Sequence, residues 1–299
     1  MKKLLVILII TGFLTGCYDD FRLDNDFTAV AFSRADGGSN IEGVLHRTVV
    51  KDEGLRLDVG INLTGVIEND KERWADFVID PSLVDATMQS NGYMLMPENY
   101  YSLSNDSRFI IKSGSILGKV TVELDSVNFL SDPDAVNHVY AIPFRLTETS
   151  EDSINAELYT KLVVIKYMNH FEGYYDQSGT IESHDAGGTL ISSDPVDNVI
   201  EMYTVSLDTV VTNGMLNQTG AAFQMLINVN PDNTVKIGNT ASSAANVIET
   251  TGACNFDHAT STFTLNYKVT ASDDTYKIAS VQLVWRNRIR DGINEWRRD

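Results

Sequence analysis

The sequence predicts an all-β protein: an N-terminal immunoglobulin-like β-sandwich, then an antiparallel β-barrel or sandwich of calycin-like meander form. Three observations carry this. Apolar and polar residues alternate with period two over much of the chain, no long helical period occurs, and turn-forming residues separate the alternating runs. In Leu55-Arg56-Leu57-Asp58-Val59-Gly60-Ile61-Asn62-Leu63 each odd position is aliphatic and each even one is polar or glycine, a strand with one face on a core and one in water. Lys119–Leu124 and Tyr140–Leu146 repeat the pattern. Pro143 removes a ladder donor, so the second of these is expected at a sheet edge or beside a bulge. Phe109–Lys112 and Leu162–Ile165 are short apolar runs and read as central strands. The segment Pro81–Gln89, opened by a proline and closed before Asn91-Gly92, is the one helical turn expected.

The second half reads as strands at Tyr174–Ile181, Val199–Leu207, Ala222–Val229, Thr234–Ile237, Thr262–Thr270 and Tyr276–Arg286. Asn230-Pro231-Asp232-Asn233 and Ser272-Asp273-Asp274 are tight turns between them. Phe263, Leu265, Tyr267 and Val269 form one inward face, and Ala279, Val281, Leu283 and Trp285 another. Short turns between consecutive strands favour a meander that curls on itself. The domain boundary is placed near Asn169–His170, giving a sandwich over 29–168 and a barrel or sandwich over 169–299.

The N-terminus carries a different signal. Lys2 and Lys3 precede an apolar run from Leu4 to Leu14, too short for the ~20 residues of a membrane-spanning helix and of the right length for a secretory signal. It ends in Leu14-Thr15-Gly16-Cys17, which resembles the lipobox of bacterial lipoproteins. That resemblance implies a signal peptide over 1–16, cleavage after Gly16 and diacylglyceryl attachment to the Cys17 thiol. The acidic segment 17–28, with Asp19, Asp20, Asp24 and Asp26, reads as a flexible tether and resembles the surface-export signal of lipoproteins from glycan-degrading anaerobes. The expected location is the outer membrane, lipid-anchored, facing the cell exterior. Loss of Lys2 and Lys3 takes the formal net charge from −18 to −20. Such a surface repels nucleic acid and anionic lipid, so no nucleic-acid partner is expected. With Cys17 lipidated, Cys254 has no intramolecular partner and is expected to pack as a small hydrophobe in a strand.

Met94-Leu95-Met96-Pro97-Glu98-Asn99-Tyr100, followed by Phe109-Ile110-Ile111-Lys112-Ser113-Gly114, resembles a stretch of a family of uncharacterised N-terminal domains. That family occurs on surface lipoproteins of polysaccharide-utilisation loci, some endo-β-N-acetylglucosaminidases among them. Tyr140-Ala141-Ile142-Pro143-Phe144 matches a later strand of the same family. Phe171–Tyr175 and Asn255–Tyr267 resemble the C-terminal domain that often follows it. The resemblance implies glycan-related work at the cell surface, beside an outer-membrane transporter. Its motifs are structural, and they bring no catalytic signature with them.

No chemistry-bearing constellation stands out. His46, His138, His170, His184 and His258 lack metal-ligand spacing, so neither metal nor cofactor is expected. His184 reads as a polar loop residue, and acidic pairs such as Asp273-Asp274 read as turn formers rather than calcium ligands. The acidic motif and the (β/α)₈ barrel of the glucosaminidase relatives are both missing, so catalysis is not expected. Aromatic rings remain as the means of recognition, since sugar C–H faces stack on them. Tyr93, Tyr100 and Tyr101 cluster in one loop region with Asn91 and Asn99, and Trp296 lies in a charged tail. These four are the candidate glycan-binding residues, and the overall charge points to a neutral glycan. The reading is a non-catalytic surface protein that binds or presents glycan. The alternatives are an adhesive or structural lipoprotein and, behind it, a glycoside hydrolase.

Overall fold

The computed structural model describes residues 27–296. The signal peptide expected over 1–16, the expected lipidation site Cys17 and most of the expected tether over 17–28 lie outside that range. The described chain is almost entirely β, as its alternation predicts.

The N-terminal strands are β1 (Ala29–Phe32), β2 (Val44–Val50), β3 (Arg56–Thr64), β4 (Arg73–Ile79), β5 (Met94–Leu95), β6 (Tyr101–Leu103), β7 (Arg108–Ile111), β8 (Leu117–Leu124), β9 (Tyr140–Thr149), β10 (Ser153–Ile154) and β11 (Thr160–Met168). They form one sheet in the order β10-β1-β3-β8-β6 and another in the order β2-β11-β9-β4-β7, with β5 on β9. The alternation of β3 and β8 is met residue for residue. Val59, Ile61 and Leu63 are buried, as are Val120, Val122 and Leu124. Edge-to-face and tilted packing of Phe32, Phe77, Phe109 and Phe144 fills the space between the sheets. The helical segment is a 3₁₀ turn at Pro81–Leu83 and an α-turn at Ala86–Ser90, each opened by an aspartate cap, Asp80 and Asp85.

Two expectations are corrected here. β7 lies at a sheet edge rather than in the centre, whereas β11 is central. β9, with Pro143, is an interior strand. Its ladder to β4 stops at Ile79–Phe144, one residue short of the proline, so no hydrogen bond to β4 is lost there. A bulge does occur in β9, but between Leu146 and Glu148.

The C-terminal strands are β12 (Gly173–His184), β13 (Leu190–Ser206), β14 (Thr209–Thr212), β15 (Gly214–Met215), β16 (Gln218–Thr219), β17 (Met225–Val229), β18 (Val235–Asn239), β19 (Val247–Thr250), β20 (Asn255–Asp257), β21 (Thr262–Thr270), β22 (Tyr276–Arg290) and β23 (Ile293–Trp296). The sheet runs β18-β17-β14-β13-β12-β22-β21-β19 and curls into a nearly closed barrel. Both predicted turns are present. Asn233 and Asp274 adopt left-handed backbone, and their N–H groups donate to Asn230 and Ala271. Between the edge strands β18 and β19 the seam is bridged by Ile248 N–H donating to the Asn239 side-chain oxygen at 3.4 Å, and the Asn239 amide donates to the Ser243 and Asn246 carbonyls in the connecting loop.

By density of contacts the chain divides into two compact units. One gathers the chain up to Leu45 with Arg56–Glu123 and Ala141–Val163; the other gathers His46–Leu55, Leu124–Tyr140 and the chain from Val164 on. Asn169 is fully buried, and its amide donates to the Ser206 and Thr209 carbonyls at 2.8 and 3.1 Å. Cys254 is buried just before β20 rather than within a strand, and burial pushes its thiol pKa up.

Candidate ligand-binding site

The barrel is shut at one end. Phe171, Tyr175, Phe256 and Phe263 are all buried there, with ring centroids 5.0 Å apart for Phe171–Phe256 and 4.5 Å for Phe256–Phe263. The Tyr175 hydroxyl donates to the Phe171 carbonyl at 2.8 Å, which satisfies the one polar group of this plug.

The opposite end is open. The β12–β13 and β21–β22 hairpins meet there, with His184 opposite Leu190 on one side and Tyr276 on the other, and Tyr276 opposite Thr270. A cavity of about 360 Å³ opens between them, within the usual ~300–1,000 Å³ of ligand sites. Leu216, Phe223, Val269 and Ile191 supply apolar wall; Ser183, Gln218, Asn246 and Thr275 supply hydrogen-bonding groups. His184 and Tyr276 form a rigid aromatic plate, stacked at 4.7 Å and 7°. The Lys268 ammonium lies 5.6 Å from the Tyr276 ring centroid, within cation–π reach, and is held there by Glu249 at 2.9 Å. His184 is therefore a mostly buried strand residue facing Glu182 at 3.4 Å, not the loop histidine that its sequence context implies. A mostly apolar pocket with a few convergent polar groups is the usual form of a small-molecule site.

The four sequence-predicted residues do not converge. Tyr93 is buried and lines a cavity with Val84 and Gln89. Tyr100 and Tyr101 are half-buried, and burial together with Glu98 raises the Tyr101 phenol pKa. Trp296 is exposed, as expected, and lines a different cavity with Glu53, Arg288, Arg290 and Asn294. That cavity also holds the carboxylate pair Glu53 and Glu295, which a sugar hydrolase would need. Both carboxylates are tied to Arg288 and Arg290. Burial works to raise the Glu53 carboxyl pKa, but the two guanidinium groups outweigh it and hold the pKa below the ordinary value. Glu53 is thus kept ionised, the wrong state for a proton donor. Among the described residues, no group of His, Cys, Asp and Glu is arranged to hold a metal ion.

The mouth residues were missed because none belongs to a motif. One signal was available: Ala279, Val281 and Leu283 alternate inward, and the same alternation carried back two residues reaches Lys277.

Fold and register define the class, a two-domain all-β protein with a sandwich followed by a barrel. Two family models match the chain, one of an N-terminal domain over residues 27–153 and one of a C-terminal domain over 159–282. The chain belongs to the two-domain family that these models describe. A protein of unknown function from Bacteroides ovatus has the same fold, with a TM-score of 0.68 at 19% identity over 91% of this chain and 98% of that one. A second Bacteroides ovatus protein of unknown function is similar with a TM-score of 0.52 at 14% identity, over 91% of this chain and 100% of that one. A multidomain protein of the same organism covers 90% of this chain and 100% of its own at 14% identity, with a TM-score of 0.48. No curated protein matches the sequence.

Proposed function

We propose that this is a non-catalytic, lipid-anchored protein of the cell surface that binds or presents glycan, and that the mouth of the C-terminal barrel holds the saccharide. The observation that carries the reading is the cavity itself. Its apolar wall suits sugar C–H faces, and the side chains of Ser183, Gln218, Asn246 and Thr275 suit hydroxyl groups. The Leu14–Cys17 lipobox and the acidic segment behind it support the surface location, and the resemblance to proteins of polysaccharide-utilisation loci supports the class of ligand.

The test is binding of the Cys17-onward protein to an array of bacterial, plant and host oligosaccharides, with Phe223→Ala alongside. Phe223 is a half-buried ring on the cavity wall, and its removal should weaken binding about tenfold, by analogy with the stacking of bases on aromatic side chains. Retention of no oligosaccharide at millimolar concentration would sink the reading. Equal retention by Phe223→Ala would move the site elsewhere.

A further inference from the structure

Lys277 is the odd member of the barrel mouth. It shares the inward face of β22 with Ala279, Val281 and Leu283, and its cross-strand neighbours are Ser183 and Val269. Its side chain is half-buried and lines the cavity. A cationic group withdrawn from water against apolar wall is costly unless an anion or several acceptors face it. Other cations of this molecule have such partners: Lys268 has Glu249 at 2.9 Å, Lys51 has Asp208 at 2.8 Å and Lys119 has Asp58 at 2.6 Å. Lys277 has none among the described residues. No carboxylate lines the cavity, although acidic residues outnumber basic ones 41 to 23 in the chain. The acids near Lys277 are Asp273 and the exposed Asp274 in the hairpin turn before it, neither in an ion pair with it among the described residues, and Glu182 on the neighbouring strand. Glu182 faces His184, and the Asp273 carboxylate accepts from the Thr275 hydroxyl and backbone N–H.

We propose that Lys277 awaits a carboxylate on the ligand, so that the saccharide taken by the barrel mouth is a uronic acid. This rests on the barrel-mouth reading above and departs from the neutral glycan that the total charge suggests. The distinction is one of distance. Net charge acts over a Debye length of about 8 Å and beyond, where salt screens it, whereas a contact inside a low-dielectric cavity is decided by the groups that line it. Those groups are uncharged except for Lys277, with His184 beside it. The apolar wall and the hydroxyl partners fit the ring, and the lysine fits its C6 carboxylate through a charge-assisted hydrogen bond.

The experiment is an oligosaccharide array of matched pairs, each uronate beside its carboxyl-reduced neutral counterpart, with decanoate as an apolar carboxylate lacking hydroxyls. It is probed with wild type, Lys277→Gln, Lys277→Met and Lys277→Arg. The expected result is tighter binding of a uronate than of its neutral twin, with the advantage falling as salt rises. Lys277→Gln and Lys277→Met should lose about ten- to a hundredfold of uronate affinity, and Lys277→Arg should keep most of it. Melting temperatures should hold or rise in the Gln and Met variants, because a lysine without a partner stabilises nothing, so misfolding will not mimic the effect. If a neutral sugar binds as well as its uronate, or if Lys277→Gln and Lys277→Met keep the preference, the carboxylate proposal fails and the glycan reading stands. Tighter binding of decanoate would make the cavity a lipid site, and retention of nothing would remove both readings together.

Discussion

His138 lies face to face with His46, ring centroids 4.1 Å apart and planes 9° apart, with its Nε2 at 3.4 Å from the Thr48 hydroxyl. Burial, the neighbouring His46 and the charge of Lys166 depress its pKa from 6.5 to about 3. The sign of the consequence follows from which state takes the proton. Below pH 6.5 the unfolded chain protonates this histidine while the folded one does not until about pH 3, so the stability it underwrites is lost as pH falls through that window. Denaturant melts should show wild type losing on the order of 1–2 kcal/mol between pH 7 and pH 5 that His138→Gln does not lose. Parallel losses in the two proteins would show that the ring is not held neutral. The tyrosines teach a related lesson at the same scale. Tyr93, Tyr100 and Tyr101 are close in sequence, but Tyr93 lies just before β5, Tyr100 ends a 3₁₀ turn at Glu98–Tyr100 and Tyr101 opens β6, so no single periodicity relates their rings. Only burial tells a platform ring from a core ring, and a lone sequence does not display it.

Elements with strict alternation were the most legible. β21 begins and ends where its pattern does, at Thr262 and Thr270, because each inward residue is apolar and each outward one polar. The strand expected from Val199 starts at Leu190, because Asp194-Pro195-Val196-Asp197-Asn198, rich in residues that disfavour strands, pairs with β12 throughout. Tertiary pairing overrode local propensity there. β14 and β19 are four residues each and too short to show a period. Close strand packing also explains one glycine. Gly179, in the middle of β12, has φ +143°, and a β-carbon there would meet the Ser280 carbonyl oxygen at 2.2 Å and the Val281 Cα at 2.8 Å. Both atoms are backbone and cannot rotate away. Gly179→Ala should cost about 2–4 kcal/mol from strain and overpacking together. Chemical denaturation of the variant measures it, and a loss under about 0.5 kcal/mol would mean that β12 and β22 slide apart freely.

For the molecule as a whole, the sandwich-then-barrel architecture was legible because both halves are amphipathic at period two and turn signals divide them. The site was not, because a barrel mouth is assembled from residues scattered between Ser183 and Lys277, and no spacing in the chain records their meeting. The proposed attachment to the membrane is a whole-molecule property that would rest on a single atom, the Cys17 sulfur. Several acyl chains give stable anchoring where one gives marginal binding, so Cys17→Ala should move the protein from the membrane fraction to the soluble one. Its persistence in membranes after a high-salt wash would refute the anchor. The plug of Phe171, Tyr175, Phe256 and Phe263 has a consequence of its own. With the saccharide at the barrel mouth as proposed above, a cavity closed behind would admit the terminus of a polymer and would not thread its middle. The protein would therefore count chain ends rather than sugar mass, and a polysaccharide nicked by an endo-acting enzyme would offer it more sites per gram than the intact polymer.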